Sequence, residues 1–592
     1  MAKNTYKVDE AYKDDFDIRH LKLAFPYVKK YVKRMGFAML LSGLGGILGL
    51  ISPILTQKAL DEAVPQKNVN MLINLVITLV IVFILGIVFT TIRSYMMINV
   101  SQNIIYDIRK DLFAHLQKLS FQYYDDRPHG KILIRVVNYV NSVSNMLSNG
   151  LISIILETMN LIFIVCFMLA VDVQLSLIVL CGVPVLAVFL FWIKGKQRKA
   201  WRAVSNKNSN LNAYLQENIV GARITQMFAR EDENSDIFEG LCKDCKDTWM
   251  WAVRWSNLVW PGIDTISVLV RAAIFICGLV VFGAGNKSLG TIIAISSYAS
   301  RFWQPIMNLG NIFNDFINNM AYLERIFETM NEKVTVDDAE DATEMPAIKG
   351  KVEFKNVRFS YETDKEILHN VSFTVNPGES VALVGPTGAG KSTIVNLVSR
   401  FYNVDSGQVL IDGVDISKVT LKSLRSQMGI MLQDSFIFSG TIEDNIRYGK
   451  LDATMEEIEK ASKTVCAASF IEKMPDKYQA EVKERGSLLS QGQKQLISFA
   501  RTLISDPAIL VLDEATSSID VQTEKALQQG LNAMLEGRTS FIIAHRLSTI
   551  RNCDKIMYID DGGIVECGNH DELMAKKGAY YKLYTSQMDD IA

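Results

Sequence analysis

Ser380-Val381-Ala382-Leu383-Val384-Gly385-Pro386-Thr387-Gly388-Ala389-Gly390-Lys391-Ser392-Thr393-Ile394-Val395-Asn396-Leu397 is the stretch that decides the fold of the carboxyl-terminal part of this chain. The first five residues read as a buried strand, a short apolar run that stops at a glycine. The last four read as the opening of a helix. Between them lies the spacing G-x-x-x-x-G-K-[ST], in the strand–loop–helix setting that gives this pattern its meaning. Glycines let successive backbone N–H groups wrap around phosphate oxygens. The helix N-terminus adds partial positive charge. On this reading Gly385, Pro386, Thr387, Gly388, Ala389, Gly390, Lys391, Ser392 and Thr393 cradle the phosphates of ATP. Lys391 reaches the terminal phosphates and the Ser392 hydroxyl ligates Mg2+.

A second apolar strand, Ala508-Ile509-Leu510-Val511-Leu512, ends in Asp513-Glu514. In a parallel sheet those carboxylates lie at the strand's carboxyl end, beside the phosphate loop. Asp513 then serves the Mg2+ shell, and Glu514 orients and deprotonates the attacking water. An α/β domain is expected over 351–592, entered through the strand Val352–Tyr361. The acidic, polar stretch 326–350 is expected as a linker.

The rest of the chain has a different character. The 592 residues are too many for one core. Although 49% of all residues are hydrophobic and 21% charged, the long apolar runs are concentrated in residues 1–325. A helix needs roughly 20 apolar residues to cross a bilayer. Residues 36–57, 71–92 and 173–193 carry no charge. Three further runs are interrupted: 145–171 by Glu157, 255–284 by Asp264 and Arg271, and 289–315 by Arg301. Six transmembrane helices are expected. The basic residues cluster after the second and fourth, which places both termini in the cytosol. The mixed basic and apolar stretch before the first span is expected as an amphipathic helix on the inner membrane surface. A helical pattern from about 70 to 120 outruns the membrane, and breaks at Asp126-Arg127-Pro128-His129-Gly130. Residues 194–254 form a second long hairpin with a turn near Gly221. Such extensions are either solvated hairpins or rigid levers, and a following motor favours levers. The formal net charge of −2 gives no pull toward nucleic acid.

Leu489-Ser490-Gln491-Gly492-Gln493, between the two nucleotide-site strands, resembles the LSGGQ signature of ATP-binding-cassette (ABC) transporters. Gln433 in Met431-Leu432-Gln433-Asp434 resembles their Q-loop, and Ser517-Ser518-Ile519-Asp520 their D-loop. His545 resembles the switch histidine, and Tyr361 the aromatic that stacks on adenine. With six spans ahead of these motifs, the resemblance covers almost the whole chain. It is to exporters with one membrane half and one motor half per chain. The resemblance implies catalytic roles for Glu514, His545 and Gln433, with Ser392, Gln433 and Asp513 around Mg2+. It implies two motors meeting head to tail, where Ser490, Gln491, Gly492 and Gln493 face the partner's ATP. Residues around 121–132 and 211–222 match the coupling helices that seat on the motors.

Gln491 departs from the pattern, standing where the signature has glycine, and Lys483 stands where exporters often have glycine. Glutamine-containing signatures occur among exporters built from two different chains. A heterodimer with a second half-transporter is therefore favoured over a homodimer, this chain supplying the working Glu514. Glu157, Arg271 and Arg301 fall at one depth of the membrane. They either neutralise one another or line a wet cavity with Trp303. Export from a bacterial plasma membrane of a hydrophobic or amphipathic compound is expected, multidrug-type first, with a lipid or peptide as the alternative. A soluble ATPase acting on DNA is excluded by the spans. A nucleotide-gated channel or sensor would share them, but Glu514 speaks for hydrolysis.

Overall fold

The computed structural model describes residues 19–125, 127, 129–281, 287–362, 365–431, 435–513, 521–543 and 547–589. They fall into two compact units. One comprises the described residues up to Leu116 together with Gly130–Asn331, and the other Gln117–His129 together with the chain from Glu332.

The first unit is helical. Val32–Ala63, Val69–Leu116, Ile132–Val171, Val173–Val220 and Glu231–Val281 are long and apolar enough to cross a membrane. The sixth expected span lies within the helix Leu289–Met330. That helix has the length, but Arg301, Gln304, Asn308 and Asp315 dilute its apolar character. The helices Val69–Leu116 and Val173–Val220 have 48 residues each. At ~1.5 Å per residue each is roughly 72 Å long, more than twice the ~30 Å hydrocarbon core. The turn expected near Gly221 is there: its N–H returns to the Glu217 carbonyl at 2.8 Å. A second bend follows the short helix Ala222–Met227, where Ala229 takes a left-handed φ of 47°. No glycine marked that bend in the sequence.

The amphipathic helix Arg19–Lys29 precedes the first span. Polar contacts tie the segment to helix Val69–Leu116. The Tyr27 hydroxyl donates to Asp111 at 2.9 Å, and Lys30 and the Tyr31 hydroxyl donate to Asp107 at 3.0 and 3.1 Å. Phe25 and Leu23 are left exposed, which suits a helix with one face in lipid. Deeper in the unit, Leu50, Ile164, Met168, Leu175, Val179, Ile274 and Tyr298 form the core.

The second unit is a layered α/β domain. Its main sheet runs in the order Gly563–Gly568, Lys555–Asp560, Ser380–Val384, Thr539–Ile543, Ile509–Asp513, Met428–Met431. All neighbours are parallel except the first pair. Thr539–Ile543 is buried at all its positions and Ser380–Val384 from Val381 onward, as strands with both faces covered must be. A smaller antiparallel sheet orders Lys365–Val375, Val352–Glu362, Ser406–Ile411 and Val414–Asp415.

Helix Leu289–Met330 runs past Ile326 into the stretch expected as linker, because Leu323, Ile326, Phe327 and Thr329 are all buried. The residues beyond lie against the α/β domain. Asp412 accepts from the N–H groups of Lys349, Gly350 and Lys351 at 2.6, 3.4 and 2.9 Å. Asp338 accepts from Leu421 N at 2.7 Å, and Arg400 donates to the Asp337 carbonyl at 2.9 Å.

Candidate functional site: a nucleotide cradle

The strand Ser380–Val384 sits inside the main sheet and delivers the phosphate loop at its carboxyl end. Gly385 has a φ of 141°, and a Cβ there would run into the Ile559 carbonyl. Gly390, with φ of 105°, caps the helix Lys391–Val398, and its Cβ would stand 2.8 Å from Leu368 Cδ2. Both positions demand glycine for conformation and for space. Lys391 is 9% exposed. Its ammonium donates to the carbonyls of Gly385 and Pro386, both at 2.8 Å. Burial pushes its pKa down from the usual lysine value, while the nearby Asp513 carboxylate pulls it up. Thr393 is buried and Ser392 exposed at the helix start. Asp513 ends the strand Ile509–Asp513, in register with Ile543 of the intervening strand. An ammonium hydrogen-bonded to carbonyls of its own loop, on the first residue of a helix, fits the polyphosphate of ATP.

Tyr361 lies near the end of the strand Val352–Glu362. Its hydroxyl donates to Thr393 Oγ1 and accepts from Asn396 Nδ2, each at 3.3 Å. The ring stands edge-on to Phe359 and Tyr402, with centroids at 4.8 and 5.1 Å. The aromatic assigned to adenine is thus tied to the phosphate-loop helix. Sequence reading missed Asn396 and Tyr402. The only signal was an aromatic pair, Phe401-Tyr402, just after that helix.

Ser490 is the N-cap of the helix Gln491–Leu503 and forms a capping box with Gln493. Ser490 Oγ accepts from Gln493 N at 3.3 Å, and Gln493 Oε1 accepts from Ser490 N at 3.0 Å. The spacing S-x-x-Q is that of a helix start. Gly492 is buried, whereas Gln491 is exposed; a side chain in place of the signature's glycine therefore meets no wall in this chain. Gln433, Glu514 and His545 lie outside the described residues.

Of the four residues considered for a cavity, Glu157 and Arg301 have hydrogen-bond partners of their own in the helical unit. Glu157 accepts from Asn308 Nδ2 at 2.7 Å, and Arg301 donates to the Gly49 carbonyl at 2.6 Å. Among the described residues no ion pair joins Glu157 to either arginine. Arg271 is half-buried, and its Nε has no hydrogen-bond partner. Trp303 is 4% exposed, edge-on to Phe302 at 5.1 Å, with a ring carbon 3.0 Å from where a Cβ on Gly182 would stand. It packs the core.

Helices longer than a bilayer is thick and a phosphate-loop sheet in one chain define a membrane protein worked by nucleotide. The family pattern described as ABC transporter transmembrane region matches residues 35–306, and that described as ABC transporter matches 368–517. The ABC transporter ATP-binding protein YknV of Bacillus subtilis is 39% identical over 98% of this chain and 97% of its own length. YgaD of the same organism, named for multidrug export, is 36% identical over 96% and 99%. The structure of a bacterial Atm1-family ABC exporter with ATP bound superposes with a TM-score of 0.78, at 30% identity over 94% of this chain and 98% of that one. The chain belongs to the ABC transporter family: it is an exporter-type half-transporter, a membrane protein whose ATPase domain is coupled to transport.

Proposed function

We propose that this half-transporter exports a hydrophobic or amphipathic compound, of the multidrug type, across a bacterial plasma membrane, by alternating access and with both termini in the cytosol. The observation that carries the reading is the phosphate loop, with Lys391 opening its helix and its ammonium held at the Gly385 carbonyl, in the same chain as helices about twice as long as a bilayer is thick. Likeness to YgaD over nearly the full length supports the substrate class. In this reading Gly385 through Thr393 hold the phosphates and Tyr361 stacks on adenine. Ser392, Gln433 and Asp513 hold Mg2+, partly through water. Glu514 is the general base and His545 its partner at the γ-phosphate. Ser490, Gln491, Gly492 and Gln493 complete the second chain's site. The glutamine at 491 supports a partner of different sequence. Arg271, Arg301, Glu157 and Trp303 are the residues to test for substrate contact.

The test is hydrolysis and transport by the full-length protein, with its partner, in proteoliposomes. Wild type should hydrolyse ATP and move a lipophilic dye against a gradient. Glu514→Gln should still bind ATP while kcat drops about a hundredfold or more. Equal hydrolysis by the two would remove Glu514 from its role. Fuelled vesicles that flip labelled phospholipid but ignore the dye would replace a drug with a lipid as cargo.

A further inference from the structure

We infer that Asp125 and Tyr402 are positioning residues for the adenine site: they brace Tyr361, so that occupation by the base is felt directly by the intracellular segment Phe121–Asp125. This rests on Tyr361 being the base platform, as proposed above.

Residues 117–129 precede most of the membrane helices in sequence yet belong to the ATPase unit. Their short helix Phe121–Asp125 has five residues, too few to hold its shape alone. Its contacts converge on one place. The Phe121 ring lies 4.3 Å from that of Phe401. Gln122 Nε2 donates to the Tyr361 carbonyl at 3.2 Å. The Tyr402 hydroxyl donates to Asp125 Oδ2 at 2.7 Å, the distance of a charge-assisted bond. Tyr402 is 8% exposed, and its ring meets that of Tyr361 edge-on at 5.1 Å and 89°. Tyr361 is therefore braced twice. The phosphate-loop helix holds its hydroxyl through Thr393 and Asn396. The intracellular segment holds its carbonyl directly and its ring through Tyr402.

The coupling runs both ways by thermodynamic necessity. A base stacked on Tyr361 restricts the ring pair, which favours the bond between Tyr402 and Asp125 and so the docked segment. A docked segment pre-orients the platform and favours the base. The phosphates use a different part of the cradle. A triphosphate without a base fills the loop and leaves this brace unused.

Tyr402→Phe keeps the ring and deletes the hydroxyl, and Asp125→Asn keeps the shape and removes the charge. The experiment measures binding of Mg–ATP and of Mg–tripolyphosphate to the full-length transporter in nanodiscs, with KM and kcat for ATP. Each variant should weaken ATP binding and raise KM about three- to tenfold, with kcat and tripolyphosphate affinity unchanged. The double variant should be no worse than the poorer single, because both remove one bond. Equal losses for the two ligands, or additive losses, would reduce the pair to a structural contact and overturn the inference, as would variants that bind ATP like wild type. Tyr361→Ala separates the underlying assumption. If it leaves ATP affinity intact, the platform itself is wrong. If it weakens ATP alone while Tyr402→Phe and Asp125→Asn do not, the platform stands and the brace falls.

Discussion

Lys391 carries a charge into a place that disfavours charge. Burial lowers its pKa, while the carbonyls of Gly385 and Pro386 and the Asp513 carboxylate favour the protonated form. Two pH effects of opposite sign follow. Between the lowered folded value and the ordinary lysine value, the unfolded chain binds the proton and the folded chain does not. Stability without nucleotide therefore rises with pH across that window. Phosphate binding needs the ammonium, so ATP affinity should be flat near neutrality and decline as pH approaches the lysine range. Lys391→Ala should flatten that alkaline decline and cost about tenfold or more in affinity at neutral pH. Titrating ATP binding against pH for both proteins checks the sign.

At the scale of single elements, two short devices set the stability of the motor. The capping box of Ser490 and Gln493 satisfies N–H groups at the start of the signature helix. Ser490→Ala should cost about 1 kcal/mol, whereas Gln493→Glu should keep the box and most of that stability. Asp412, on a tight turn with φ of 52°, gathers three consecutive N–H groups where the chain enters the sheet domain. Asp412→Ala leaves them short of an acceptor and should cost about 2 kcal/mol. Urea unfolding of the full-length protein, followed by a probe in the ATPase domain, measures both.

The phosphate loop was legible because its glycines, lysine and flanking strand and helix are contiguous. The helix start at Ser490 was legible for the same reason. Asp412 was not, since its partners lie 61 to 63 residues away. Nor was Tyr402 with Asp125, 277 residues apart: a hydrogen bond across such a gap leaves no periodicity to read. Charges within spans were visible, but not their partners. A side-chain amide and a backbone carbonyl take Glu157 and Arg301, and neither acceptor nor donor of that kind stands out in a run of apolar residues.

For the molecule as a whole, the pairing of chains is the open proposal with the clearest genetic test. In a homodimer, Lys391→Ala and Ser490→Arg copies of this chain would together rebuild one intact ATP site from a healthy loop and a healthy signature. A heterodimer offers no such rescue. We expect mixtures of the two copies, co-reconstituted without any other chain, to hydrolyse no faster than either alone. Recovery to about a quarter of the wild-type rate, the share of intact sites that random pairing of the two copies rebuilds, would instead establish self-pairing.

The ATPase unit is assembled from two separate pieces of chain, Gln117–His129 and everything from Glu332 onward. Recombination that exchanged only the carboxyl-terminal piece between related exporters would hand the recipient a borrowed engine seated against a native Phe121 and Asp125. Chimeras spliced near Asn331 should then work only when both donors agree at the few positions that meet Phe401 and Tyr402, and lineages that shuffle their motors would have to carry those positions along.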